Sequence, residues 1–291
     1  RLATDGSFAE NQQVAGGLAV QVAVVSGNTA AGTISASPIN IPGGFDSAST
    51  SFQPQAQGST TITASSPNFA SAQVTATVTS QKLPTPAPVT VGQFLQDQTA
   101  ILLPAPAGAG GVNVTVTSNS PSVKLTTNPN AAGASSIVIT IPANQQSATL
   151  YVQSLANSGS ATYTVSTASF GTAVGTVQFA PSAVVLFPQS VSGPLSSGSI
   201  NSVSVFTALL DDSNTPVTQQ SLAGGSALNV AVSSTNTAIA SVPTTVSIAP
   251  GSSMTTLPIT LKGTGTATVS VSQPSGWTTP NSLTTTSVNV F

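Results

Sequence analysis

The sequence predicts an all-β chain built as three tandem β-sandwiches, and three observations carry that prediction. Short runs of alternating apolar and polar residues fill the chain, broken by Gly, Pro, Asn and Ser clusters at the spacing of about 8–12 residues that marks sandwiches. One phrase occurs three times, as VSGNTAAGTI at Val25–Ile34, VTSNSPSVKL at Val116–Leu125 and VSSTNTAIASV at Val232–Val242. Two proline-bearing joints, SQKLPTPAP at Ser80–Pro88 and FAPSAVVLFP at Phe179–Pro188, interrupt the alternation where a central strand could not continue. No segment sustains a helical period. The boundaries therefore fall near residues 83 and 181, giving domains at 1–83, 84–181 and 182–291.

Aligning the three phrases on Asn28, Asn119 and Asn236 brings the other elements into line. Ahead of each lies an alternating strand: GLAVQVAVV (Gly17–Val25), GVNVTVT (Gly111–Thr117) and ALNVAVS (Ala227–Ser233). The Asn-centred phrase is then a corner, in which Asn, Ser and Thr side chains bond their own backbone. Turns built on Ile and Pro follow, as IPGG from Ile41, IPANQQ from Ile141 and IAPGSS from Ile248. A glycine opens the next strand in GSTTITAS (Gly58), GSATYTVS (Gly159) and GTATVSVS (Gly265). Past it an aromatic stands at a matching position: Phe69, Phe170 and Trp277. These three are expected to pack in a core or between domains, with sugar stacking the alternative for Trp277 in the loop PSGW. AQVTATVT (Ala72–Thr79), GTVQF (Gly175–Phe179) and TTTSVNVF (Thr284–Phe291) close the units.

The units differ at their starts. The second has VTVGQFL (Val89–Leu95) and TAILLP (Thr99–Pro104) ahead of the shared part. The third has VVLFP (Val184–Pro188) and SVSVFTALL (Ser202–Leu210), then LDDSNTPVTQQSLAGG (Leu210–Gly225). The first has only RLATDGSFAENQQVAG, which resembles that last loop and holds no counterpart to either strand. Its sandwich is expected to lack its opening strands and to leave apolar surface and strand edges uncovered. Three arrangements would cover them: an N-terminal extension, a strand from another subunit, or a different domain edge. No basic and apolar leader is visible, so one has been removed or the chain is a piece of something longer.

The pattern S-x-N-x-x-x-A, then I-x-P-G, then G-x-A-x-V-x-V, resembles bacterial immunoglobulin-like repeats. These are the modules stacked in invasin- and intimin-type adhesins and other large surface proteins. The resemblance covers nearly the whole chain, most closely at LLPAPAGAGGVNVTVTSNSPSV and IVITIPANQQSATLYVQ in the second unit. It implies three tandem immunoglobulin-like sandwiches serving as spacers, adhesive tips or filament blocks, and it brings no shared catalytic residues.

Composition narrows the chemistry. Four cations and six carboxylates make 3% of 291 residues, where about a quarter is usual, and the net charge is −2. Four cations cannot neutralise a phosphate track, which excludes nucleic acid. With no His, a Ser nucleophile has no imidazole base, and Lys82, Lys124 and Lys262 stand in no Ser-x-x-Lys context. Asp211 and Asp212 are adjacent and so face opposite ways on a strand, which disfavours a carboxylate pair for glycoside chemistry. Asp211 and Asp212 in DDSNTP, with Asp5 in the equivalent TDGS, are the candidate ligands of a weak calcium site. Calcium takes about six to eight oxygens, so an Asx turn at the loop start is the stronger expectation, with no cofactor. The sequon Asn113-Val114-Thr115 falls mid-strand.

No run is long enough to span a bilayer as a helix. A charge-poor, Ser- and Thr-rich β chain suits a secreted or cell-surface location. The expected role is non-enzymatic: a structural subunit of a filament or surface sheath, assembled with other copies of itself through strand donation or end-to-end contacts. The alternative is the stalk or binding module of a large adhesin, with glycans or a cell surface as partner. With so few titrating groups, the fold is expected to be insensitive to pH.

Overall fold

The structure is a computed structural model and describes residues 4, 7, 9–79, 81–195 and 200–291. It comprises two compact bodies, Arg1–Gln81 and Lys82–Phe291. All regular secondary structure among the described residues is β-strand.

In the first body the strands are β1 (Ala19–Ser26), β2 (Gly32–Ile34), β3 (Ile39–Pro42), β4 (Phe52–Pro54), β5 (Gly58–Ser65) and β6 (Ala72–Val78). The second body opens with β7 (Val89–Gly92), β8 (Leu95–Leu102), β9 (Val112–Ser118), β10 (Val123–Thr126), β11 (Ser136–Ile141), β12 (Ser147–Ser154), β13 (Ser160–Thr167) and β14 (Gly171–Ala180). It continues with β15 (Ser182–Phe187), β16 (Ser190–Gly193), β17 (Ile200–Leu210), β18 (Pro216–Gln219) and β19 (Ser221–Leu222). Last come β20 (Leu228–Ser234), β21 (Ala240–Ser241), β22 (Thr245–Ile248), β23 (Met254–Leu261), β24 (Gly265–Val271) and β25 (Thr285–Val290).

Two complete immunoglobulin-like sandwiches make up the second body. In the first of these, the sheet β11-β9-β13-β14-β7 faces β10-β12-β8, and in the second β16-β25-β24-β20-β22 faces β15-β17-β23-β21. Alternation decides which side chains go inward. Val114 and Val116 of β9, Leu150 and Val152 of β12 and Tyr163 and Val165 of β13 meet in one core. Val230, Leu257, Ile259, Val269 and Val288 meet in the other. The strand β15 is buried on both faces, because Ala183 and Val185 pack outward against Ala208, Leu210, Phe206 and Leu283.

The first sandwich is the inner part of this design. Its sheet β3-β1-β5-β6 repeats the order β22-β20-β24-β25 without a β16, and its pair β2-β4 repeats β21-β23 without β17 or β15. Among the described residues, the outer edges of β4 and β6 carry no partner strand. Counterparts of β15, β16 and β17 are thus absent among the described residues of the first body.

One expected strand is two. VTVGQFL breaks after Gly92, and Phe94 takes a positive φ of 62°. The reason is a change of sheet: Gln93 N–H donates to Ala180 O and Phe94 N–H to Ser154 O, handing the chain from the β14 sheet to the β12 sheet. Consequently β8 begins at Leu95, ahead of the expected Thr99. The corners form at all three sites: Asn28 Oδ1 accepts from Ala30 N–H and Asn236 Oδ1 from Ala238 N–H, and in the middle one the Ser118 and Ser120 hydroxyls accept from Ser120 and Ser122 N–H. Asn119 instead reaches across to the Thr162 and Thr164 hydroxyls.

Candidate assembly site

Missing strands leave a groove. In the first body a cavity of about 780 Å³ opens over β1 and β5, with Leu18, Val20, Val22, Ile41, Ala64 and Phe69 on its walls. The apolar residues of its floor, Val22 and Ile41, and Ile62 further along β5 are only half-buried and retain solvent contact. Their register equivalents Val230, Ile248 and Val269 are completely buried. Val24 and Ala31 are the only hydrophobic residues buried in the described part of this body. Among the described residues, every cluster of buried hydrophobics lies in Lys82–Phe291.

What fills the same place in the third sandwich is β15. Val184 N–H donates to Gln273 Oε1 at 2.8 Å, and Gln273 Nε2 donates to Val184 O at 2.7 Å. Val184 and, two residues on, Leu186, whose N–H donates to Leu283 O, are both fully buried in the core. In the third sandwich the groove is thus closed by a strand paired with β17 over Ser182–Phe187 and tied to the opposite sheet by Gln273.

The two complete sandwiches meet through a built joint. Residues 219–225 of the third sandwich clamp the end of the second, with β19 adding to the edge of β8 in antiparallel register. The Gln220 side chain accepts from Gly92 N–H at 2.8 Å and donates to Thr90 O at 2.9 Å. Ala223 N–H donates to Phe94 O and Gly225 N–H to Asn130 O. The loop that receives them runs from Thr127 to Ser135 and is braced by a buried amide pair. Gln153 Nε2 donates to Gln96 Oε1 at 2.9 Å, Gln153 Oε1 accepts from Gly133 N–H, and Gln96 Nε2 donates to Pro129 O. A polar cleft of about 450 Å³ lies beside this joint, with Gln96, Asp97, Gln98 and Tyr151 on one wall and Gln219 on the other.

The residues singled out in the sequence fall as follows. Trp277 is half-buried against the third core and faces Phe94 across the joint, ring centroids 5.9 Å apart. Phe170 packs on the second core, where its carbonyl accepts from Leu83 N–H. Phe69 is 63% exposed on the groove wall. Asp211 Oδ1 accepts from Ser213 and Thr215 N–H, both at 2.8 Å, so that oxygen is engaged in an Asx loop. Asp212 is exposed beside it, and Asp5 lies outside the described residues. Among the described residues no group of three or more acidic, His or Cys side chains could hold a metal ion. Sequence reading did not single out Gln96, Gln153, Gln220 or Phe94. A pointer existed in QQVAGG and QQSLAGG, whose kinship was visible while their use was not.

No helix among the described residues is long and apolar enough to cross a membrane. No protein-family model matches the chain. Nor does any curated protein. Among solved structures it is similar to domains 4–9 of the surface layer protein SbsC, at 18% identity and a TM-score of 0.31 over 100% of this chain and 41% of that one. The chain thus spans about two fifths of that fragment. It is also similar to the I9–I11 tandem of titin, at 9% identity and a TM-score of 0.34 over 92% of each chain.

Proposed function

We propose that this chain is an extracellular structural subunit of bacterial type. It joins its neighbours end to end in a filament or surface sheath, and its first sandwich is completed by a β-strand donated from a neighbouring chain. One observation carries the reading: the apolar groove over β1 and β5, which in the third sandwich holds a strand, is open in the first. Open strand edges on β4 and β6 add main-chain groups able to pair with a donor. Edge strands are commonly guarded by charge, and this chain has ten charged residues in all. The Trp277 ring faces Phe94, ring centroids 5.9 Å apart, which favours packing over sugar stacking.

The test is electron microscopy with amide hydrogen exchange on the full chain over a range of concentrations. Filaments or sheets should form, and the β1 and β5 amides should slow as they do. A synthetic peptide with the β15 sequence, SAVVLF, should slow the same amides and cap growth. Monomers at every concentration, with β1 and β5 unaffected by the peptide, would leave an adhesin stalk as the reading.

A further inference from the structure

The first sandwich carries an unoccupied copy of the clamp. From Gln12/Gln220 to Asn28/Asn236 the first and third sandwiches run side by side at one constant offset, without insertion or deletion. The backbone agrees bond for bond. Val14 N–H donates to Phe45 O and Gly44 N–H to Val14 O, as Leu222 N–H donates to Ser252 O and Gly251 N–H to Leu222 O. The turn ahead of Phe69, closed by its N–H on Ser66 O, matches the one ahead of Trp277, closed on Pro274 O, with Asn68 and Gly276 both at positive φ.

The glycines say what the copy is for. In the third sandwich a Cβ at Gly224 would run into the Ala131 backbone of the second. One at Gly225 would stand 2.9 Å from the Ala132 Cβ, and one at Gly251 would meet Asn130 and Pro129. Close approach of a neighbouring sandwich requires all three. Their equivalents Gly16, Gly17 and Gly44 have nothing within 4 Å. Gly17 and Gly44 are at positive φ and so have a local reason to be glycine, but Gly16 is not. Nothing in the described part of its own body explains Gly16. Phe69, in the place of Trp277, is exposed where Trp277 is packed.

We propose that the rim formed by Gln12, Gly16, Gly17, Gly44 and Phe69 docks the end of a second β-sandwich of the 84–181 type whose socket is free. The groove-filling strand runs on from that sandwich as β15 runs on from β14. This rests on the proposed function for one premise, that the first sandwich is completed from outside its own residues. The socket identifies the partner. Its receiving loop spans Thr127–Ser135, whereas the corresponding connections are only Ser35–Pro38 and Val242–Thr244 in the other two sandwiches. Neither of those can supply Asn130–Ala132, and the socket present in this chain is filled by its own third sandwich.

The experiment gives the full chain a free socket by fusing a second copy of residues 84–209 ahead of Leu2, and follows amide exchange. Ala15 and Gly17 correspond to Ala223 and Gly225, whose N–H groups bond across the joint. In the fusion both amides should slow by more than about tenfold. Gly16→Ala should return them to the rate of the unfused chain while β1 and β5 stay slow. In the unfused chain Gly16→Ala should leave thermal unfolding unchanged. If β1 and β5 slow but Ala15 and Gly17 do not, the docking proposal is overturned and strand donation stands. Failure of all four to slow would overturn both, and Gly16→Ala having no effect in the fusion would overturn the docking.

Discussion

At residue scale, Tyr163 and Gln93 each carry a buried side-chain oxygen without a hydrogen-bond partner, and Tyr163 has the larger consequence. It is fully buried, and its phenol oxygen makes no hydrogen bond of good geometry, although the Thr99 hydroxyl is near. Burial pushes the phenol above its ordinary range, with Thr99 pulling back in part. A raised folded value means the neutral phenol favours the fold fully below about pH 10 and loses that contribution as pH rises through the folded value. Urea midpoints should thus be level from about pH 5 to about pH 9 and fall above it, and Tyr163→Phe should flatten the alkaline fall. The same variant removes an unpaired buried hydroxyl and should be neutral or stabilising by about 1 kcal/mol at neutral pH. Gly175 exists for this ring: a Cβ there would collide with the phenol carbon and oxygen. Gly175→Ala should cost about 1–3 kcal/mol in a denaturant titration. Gln220→Ala strands the buried Gly92 N–H and should lower stability by about 1–3 kcal/mol.

At the scale of elements, the exposed edge of β6 is the place to separate folding from assembly. Val74 is 61% exposed, while its register equivalent in β25, Thr286, is completely buried and donates to Pro188 O. Val74→Lys should change monomer stability by less than about 0.5 kcal/mol, yet suppress filaments by electron microscopy, because a charge must then be buried beneath the incoming chain. The strands were legible in the sequence because alternation and turn residues are local signals. The missing pair was legible too, as an absence against two complete repeats. The break at Gln93–Phe94 was not, since a change of sheet leaves no mark on apolar periodicity. The joint was hidden for a related reason. Gln96 and Gln153 look like solvent-facing strand residues, and only the fold brings them under the Asn128–Ala132 loop. Gly224 reads as turn punctuation until a neighbouring backbone is found pressed against it.

For the molecule as a whole, shape and main-chain bonding have to do the work that charge does elsewhere. A net charge of −2 over 291 residues gives no long-range repulsion to overcome. Assembly monitored by light scattering should therefore be nearly as complete at about 1 M salt, where screening lengths shrink to about 3 Å, as in dilute buffer. The pairing of an early strand with the last one has a further consequence. In both complete sandwiches an opening strand lies parallel to the closing one, Val89–Gly92 along Val177–Ala180 and Ser190–Gly193 along Ser287–Val290. Tension along the chain pulls such strands past one another, so their hydrogen bonds share the load and must rupture together. Antiparallel hairpins drawn apart at one end fail a bond at a time. The first sandwich has no parallel pair of its own among the described residues, so under traction it would yield first unless the donated strand we propose also latches it.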